Sequence, residues 1–398
     1  MPAGLLNGIR VLDLGSGISG PWCAKILADY GAEVIKVESP GSGDAARRMG
    51  PFAGDDPDPE KSLTFLYLNT NKKGVTLDPS SASGRRLLDR LLAEADVLVE
   101  NYPPARSKEL GLDYASLAEV NPQVVVTSIT PFGQTGPYRD YQATDIVTYA
   151  LSGLMYHSGD SDQEPLRNVL DQSFYVAGIT AAAATQVALF ARLTSGEGQH
   201  VDVSAAECLG AHLVQPLPYY NYMGAVKGRR PVRGAGFEEL MPARDGYVAP
   251  SVQGSQPWST IASLIGPEEL QDEKFATAAG RVAHGEELKE LLIKGLAQWD
   301  RMPLFLASGE QRLVFGMAQD AGDLAHCPHL EARDFFVEVD HPVVGRARYP
   351  GMAVRLPGET ITGSQPAPLL GQHNSEIFGR ELGYSTQDLV SLRQQGVI

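Results

Sequence analysis

Three glycines near the start of the chain could hold a phosphate. Gly15, Gly17 and Gly20 fall in VLDLGSGISG, after an apolar run and before a helix-forming stretch, and fit G-x-G-x-x-G. Glycines at that spacing permit a tight strand-to-helix turn and let a pyrophosphate approach a helix N-terminus. Glu38 closes the next apolar run, at a distance suited to a ribose hydroxyl. Local chemistry leaves NAD, FAD and S-adenosylmethionine open, together with a glycine-rich turn that binds something else or nothing. Lys36, Arg47, Arg48, Asn71, Lys72, Lys73, Asn101, Arg106 and Lys108 follow in the same half. Such groups along one sheet edge would suit a phosphate-rich ligand, and equally suit ordinary surface positions.

Asp171 is the second chemical candidate. It precedes the long apolar stretch Phe174 to Leu193. An Asp there can cap the helix by accepting a backbone N–H. It can also be a carboxylate kept ionised at a helix N-terminus and used as a nucleophile. Residue type and position alone do not choose between the two. His326, Cys327 and His329 in AHCPHL match no zinc spacing, so no metal site is expected. Neither G-x-S-x-G nor H-E-x-x-H occurs.

The elements that must position these groups are legible in the first 130 residues. Apolar runs at Ile9 to Leu14, Ala32 to Glu38, Val75 to Leu77, Val97 to Glu100 and Val124 to Ile129 alternate with helical stretches at Pro21 to Tyr30 and Gly84 to Ala95. This βαβ alternation predicts an α/β fold with a parallel sheet, whose ligands sit at the strand C-termini. Gly41 to Glu60 reads as a long surface loop. A long helix after Asp171, a strand over 200–205 and a helix from Ala206 to Leu217 follow. Tyr220 to Gly236, basic through Lys227, Arg229, Arg230 and Arg233, reads as a connection to a smaller α/β unit over about 237–325. Short strands at Phe335 to Val339 and Arg346 to Tyr349 and a last helix at Ser385 to Gln395 close the chain.

Composition bounds the function. The 398 residues carry 33 Lys+Arg against 48 Asp+Glu, a net charge of -15, which argues against a general nucleic-acid binder. Three widely spaced cysteines suit free thiols in a reducing cytoplasm. No signal peptide is expected at the N-terminus. Phe174 to Leu193 is long enough to span a membrane, but Thr180, Thr185, Gln186 and Arg192 interrupt it, and a buried helix is expected instead.

Several ordered blocks carry a family resemblance. GIRVLDLGSGISGPWCAKILADYGAEVIKVESPGSGDAAR (8–47), LNTNKKGVTLD (68–78), ADVLVENYPP (95–104), LGLDYASLAEVNPQVVVTSITPFGQTGPY (110–138), TSGEGQHVDVSAAE (194–207), PHLEARDFFVEVDHPVVGRARYPG (328–351) and APLLGQHNSEIFGRELGY (367–384) resemble the class III coenzyme A-transferases, the family of formyl-CoA transferase and carnitine CoA-transferase. VLDLGSG also looks like the first motif of methyltransferases, but one motif weighs less than seven blocks. The resemblance implies transfer of CoA from an acyl-CoA to a carboxylic acid. An Asp attacks the donor thioester, giving a mixed anhydride and then an aspartyl-CoA thioester, and the family's nucleophile falls at Asp171 in PLRNVLDQSFYVAG. Val169 and Leu170 suit the shielding from water that an anhydride needs.

The resemblance also reassigns the glycine turn to CoA, a substrate and not a tightly bound cofactor. Positions matching the family's CoA contacts are Ile18, Ser19, Ser39, Leu68, Asn71, Lys72, Asn101, Tyr102, Thr130, Phe132 and Gly133, with Lys108 as the candidate for a phosphate. There are departures. Ile18 stands where Gln or Leu is common, Glu109 where a base is common before LG, and Thr130 where some members have Lys. No run of consecutive glycines is present. The same family contains α-methylacyl-CoA racemases, whose catalytic His matches Thr144, a residue that cannot exchange a proton near neutral pH. Transfer is therefore preferred over racemisation. A non-catalytic acyl-CoA-binding protein is the third reading. The family fold implies a Rossmann-like large domain (1–224 and 330–398), a smaller α/β domain (225–329) and two ring-like subunits interlocked as a homodimer. Tyr219 to Tyr222 and Gln253 to Gln256 are candidates for lining the acid site.

Overall fold

The computed structural model describes residues 4–229, 240–251, 257–355 and 364–398. Arg230, Arg233 and Gln253 to Gln256 lie outside them. The chain forms two compact units: Met1–Ser158, Pro165–Lys227 and Asp334–Ile398 in the first, Gly159–Glu164 and Gly228–Arg333 in the second.

The first unit is built on six parallel strands, β1 (Arg10–Asp13), β2 (Glu33–Glu38), β3 (Lys72–Thr76), β4 (Val97–Glu100), β5 (Val125–Thr130) and β6 (His200–Ser204), in the order β3-β2-β1-β4-β5-β6. The chain works outward from β1 to β3, then returns and works outward on the other side. The order therefore reverses between β1 and β4, which is where open sheets of this kind bind ligands.

Alternation along the strands divides the core into two layers. Leu12, Ile35, Val75, Leu98 and Val126 pack on one face against Leu87, Leu88, Leu91 and Leu92 of helix Ala82–Leu92. Val11, Val34, Val97 and Val125 pack on the other against helices Ser19–Asp29 and Gln172–Ser195. The edge strand β3 is covered rather than left open. His373 accepts from Gly74 N through Nδ1 (2.9 Å) and donates its own N–H to Gly74 O (2.8 Å), while Asn374 Oδ1 accepts from Thr76 N (2.9 Å). These two residues belong to the GQHNSE segment near the C-terminus. An antiparallel hairpin, β10 (Phe336–His341) and β11 (Gly345–Pro350), completes this unit.

The second unit carries a three-stranded antiparallel sheet, β7 (Met241–Ala243), β8 (Gly246–Ser251) and β9 (Val314–Met317). Its core gathers Trp258, Ile261, Phe275, Leu288, Leu292, Leu296 and Leu304.

Three local expectations need correction. The helix read over Ala206 to Leu217 is two helices, Ala205–Gly210 and Pro216–Met223, because Gly210 ends the first and Pro216 starts the second. Gly41 to Glu60 is not a plain surface loop: Asp44, Ala46 and Arg47 are buried in it. Helix Gln172–Ser195 is buried along Ser173, Ala177, Ala181, Thr185 and Ala188, but exposes Ile179, Val187, Phe190 and Leu193 along the rest.

Candidate active site

The glycine turn leaves β1 and is held from β4. Asn101 Oδ1 accepts from Ser16 N (2.8 Å), and Asn101 Nδ2 donates to Ser16 O (2.7 Å) and Ser19 Oγ (3.2 Å). Asp13 Oδ1 accepts from Gly15 N (3.0 Å), and Asp44 Oδ1 from Gly17 N (2.7 Å). Gly17 has φ 76°, the left-handed region that glycine enters without strain. Gly15 and Gly20 touch: a Cβ on either would lie 2.7–2.8 Å from the other's Cα. The motif thus brings the turn back onto the first helical residues.

Below the turn lies a buried charge cluster. Lys72 Nζ donates to Asp13 Oδ2 (2.8 Å), Pro21 O (2.8 Å) and Asn69 Oδ1 (2.9 Å). Burial pushes Lys72 down to about 8, against the opposing pull of Asp13, with Lys36 adding to the fall. Lys36 pairs with Asp44 (2.7 Å) and also donates to Gly15 O. Arg47 grips Glu38 through Nε (2.6 Å) and Nη2 (2.9 Å), and reaches Glu60 (2.7 Å). Two expectations change here. The three ammonium hydrogens of Lys72 are all spent inside the protein, leaving none for a CoA phosphate. Glu38, gripped through both oxygens by Arg47 and with its side chain buried, is turned inward to that pair rather than presented to a ribose.

The other expected contacts divide by sheet edge. Ile18, Ser19, Ser39, Asn101 and Tyr102 follow the C-termini of β1, β2 and β4; Thr130 ends β5 and Phe132 and Gly133 follow it. These share one edge. Thr130 Oγ1 is buried there without a hydrogen-bond partner among the described residues. Phe132 meets Tyr138 edge-on at 6.1 Å, and Gly133 lies against Asp202 and Ser204 with φ 81°. Leu68 and Asn71 precede β3 and stand at the other edge. Leu68 is fully buried, and Asn71 is engaged by Asp29 (2.7 Å) and Gln365 N (2.8 Å). Lys108 is exposed in the last turn of helix Pro104–Glu109 and has no partner among the described residues, whereas Arg106 pairs with Glu109 (2.7 Å).

Asp171 reaches the shared edge from above. Helix Gln172–Ser195 runs into β6, so its N-terminus lies at the strand C-termini. Leu170 and Asp171 both adopt left-handed backbone, φ 61° and 51°, a pair of conformations that non-glycine residues take at a cost. The Asp171 side chain makes no capping bond, and its carboxylate has no hydrogen-bond partner among the described residues. The capping alternative is therefore overturned. Val169 and Leu170 do not shield it within this chain, being 72% and 75% exposed.

Asp145 makes the backbone bond that a cap would have supplied. Its Oδ1 accepts from Ser173 N (2.9 Å) and Ser173 Oγ (2.6 Å), and its Oδ2 accepts from Arg167 (2.9 Å). Asp145 starts helix Asp145–Leu151 and is 3% exposed. No spacing in the sequence connects Asp145 to Ser173; only the fold does. Farther along the helix, Gly178 lets helix Ser19–Asp29 approach, since a Cβ there would lie 2.7 Å from Ser19 O and 2.9 Å from Trp22 Cδ1. Trp22 meets Tyr175 edge-on at 6.0 Å, and burial raises Tyr175, with the nearby Asp171 charge adding to it. Among the described residues no group of acidic, His and Cys side chains could hold a metal ion. Cys23 is buried, with its thiol pushed up to about 12 by burial, and does not suit nucleophilic chemistry.

Comparison with known proteins gives the family and the fold. The profile of CoA-transferase family III matches residues 6–374. A succinate–glutarate CoA-transferase from Agrobacterium fabrum is 32% identical over 94% of each chain. A succinyl-CoA–D-citramalate CoA-transferase from Chloroflexus aurantiacus is 32% identical over 99% of this chain and 98% of its own. The crystal structure of a CAIB/BAIF family protein from Brucella suis superposes with a TM-score of 0.86 at 30% identity, covering 95% of this chain and 99% of that one.

Proposed function

The chain belongs to CoA-transferase family III, and from that premise we propose that Asp171 is the nucleophile that carries the acyl group and then CoA between two carboxylic acids. An Asp171 oxygen attacks the thioester carbonyl of the donor, the C–S bond breaks and CoA leaves as the thiolate, giving a mixed anhydride. The thiolate then attacks the Asp171 carbonyl and the donor acid departs, leaving an aspartyl-CoA thioester. The acceptor carboxylate attacks that carbonyl and expels the thiolate, which closes on the acceptor half of the new anhydride. Asp171 is regenerated, and no proton is gained or lost overall. Dividing one hard exchange into such steps is what covalent catalysis contributes.

The observation that carries this reading is the uncapped Asp171 carboxylate, set on left-handed backbone at a helix N-terminus that favours negative charge. The edge formed by Ile18, Ser19, Ser39, Asn101, Tyr102, Thr130, Phe132 and Gly133 is the proposed CoA side, with Lys108 for a phosphate. Leu68, Asn71 and Lys72 are proposed to support it from beneath. Both named relatives act, by their names, on succinate or succinyl-CoA, so succinyl-CoA is the donor to test first, against a panel of dicarboxylic acceptors. Appearance of acceptor CoA thioester that is lost in Asp171→Ala supports the reading; CoA binding with no transfer to any acceptor would favour a binding protein instead. The exposed apolar side of helix Gln172–Ser195, with Val187, Phe190 and Leu193, supports a homodimer. A monomer at micromolar concentration in sedimentation would contradict that part.

A further inference from the structure

Glu100 ends β4, between the residues of the proposed CoA edge, and no step above uses it. The side chain is fully buried. Its Oε2 accepts from Tyr102 N (2.7 Å), while Oε1 makes no hydrogen bond of ordinary geometry among the described residues, the Ser128 hydroxyl acting on the same carboxyl. Asn101, which clamps Ser16, is the next residue. Across the sheet Glu100 stands in register with Ser128 on β5, and Ser128 with Asp202 on β6. A buried carboxylate is expensive to ionise unless a cation answers it.

No cation does. On the β5–β6 side the groups near Glu100 are Ser128, Asp202 and His200, whose Nε2 lies 3.0 Å from Ser128 Oγ and whose pKa desolvation lowers from the ordinary imidazole value. On the β1 side Asp13 is tied to Lys72, and Lys36 to Asp44. Beyond Tyr102, Arg106 pairs with Glu109, and Lys108 is exposed in the last turn of helix Pro104–Glu109. Burial pushes Glu100 up to about 7; Ser128 and the Tyr102 N–H oppose the rise and Asp202 adds to it.

We propose that Glu100 is a positioning residue that fixes the Asn101–Tyr102 turn through Oε2 while its proton sits on Oε1, and that CoA thioesters are bound by the form in which this carboxyl is neutral. The inference rests on the CoA assignment of that edge. The Tyr102 bond survives protonation, because the proton goes to the other oxygen. Ionisation instead places an unanswered negative charge under the site of a polyanion. Affinity for CoA then falls as pH rises through the titration of Glu100.

The test is CoA binding by calorimetry on the full chain between pH 6 and 8.5, for the parent protein and Glu100→Gln, whose amide keeps the Tyr102 acceptor and lacks the charge. The parent should lose roughly ten-fold in affinity across the range relative to the variant, with KM for acyl-CoA moving and kcat not. CoA's own phosphates titrate equally in both and cancel. Asp202→Asn, which removes the neighbouring charge, should shift the parent's transition to lower pH and supplies the test should Glu100→Gln fail to fold. Equal pH slopes in the parent and Glu100→Gln, or an unmoved transition in Asp202→Asn, overturn the proposal and leave the transferase reading intact. Absence of CoA binding at every pH overturns both.

Discussion

Asn101 closes a two-way clamp on Ser16, donating to its carbonyl at 2.7 Å and accepting from its N–H at 2.8 Å. One amide side chain thereby ties the exit of β4 to the glycine turn of β1 at the point where strand order reverses. Asn101→Ala should cost about 1–3 kcal/mol by leaving backbone groups of the turn unpaired. It should raise KM for acyl-CoA more than it lowers kcat, since Asp171 is held elsewhere. Steady-state kinetics and urea unfolding check both halves.

Lys72 and Lys108 should behave as opposites. Lys72→Met leaves Asp13 short of a buried partner and should destabilise by about 3 kcal/mol in urea unfolding. Lys108→Ala should change stability by less than about 0.5 kcal/mol, as exposed substitutions do. If Lys108 meets a CoA phosphate, its loss raises KM and flattens the salt dependence of KM. An unchanged KM removes it from the site.

Asp145 should matter to catalysis without touching substrate. Asp145→Ala strips the acceptor from Ser173 N, beside the left-handed Asp171. The expected result is a loss of roughly ten- to a hundred-fold in kcat from a displaced nucleophile, partly restored in Asp145→Asn, which keeps one acceptor.

Glu100 also predicts a pH effect on stability. Its carboxyl rises from an ordinary 4.5 to about 7 on folding. Between those values the unfolded chain holds fewer protons than the folded one, so this group's contribution worsens as pH rises from 4.5 to 7 and stays at its worst above. The full difference is on the order of 3 kcal/mol. Stability of Glu100→Gln relative to the parent should therefore increase across that window; a constant difference would remove the titration.

Much of this was readable from residue order. The runs at 97–100 and 124–129 and the glycine turn marked the sheet and its ligand edge, because parallel strands buried on both faces need continuous apolar residues. Buried charge was not readable. Lys36, Arg47 and Lys72 look like surface bases in a list of residues, and only pairing across strands and loops, as in Arg47 with Glu38, shows them to be internal. Asp145 was missed for the same reason, since its partner Ser173 is 28 residues away. Apolar composition predicts a buried helix over 174–193, and does not say which of its faces the core covers, so the exposed side of helix Gln172–Ser195 is visible only in the structure.

Racemisation remains separable by chemistry. Thr144 is exposed at the start of helix Asp145–Leu151 and offers no base. In deuterium oxide, with acyl-CoA and no acceptor acid, no α-deuterium should enter the acyl group. Exchange at the α-carbon would contradict transfer as the activity.

The most direct test of the central claim is intact-protein mass spectrometry after mixing with succinyl-CoA, followed by hydroxylamine treatment and peptide mapping. The account predicts a CoA-sized adduct on the peptide containing Asp171, converted by hydroxylamine to the hydroxamate and absent from Asp171→Asn. A CoA adduct on another residue, or transfer that persists in Asp171→Asn, would contradict it.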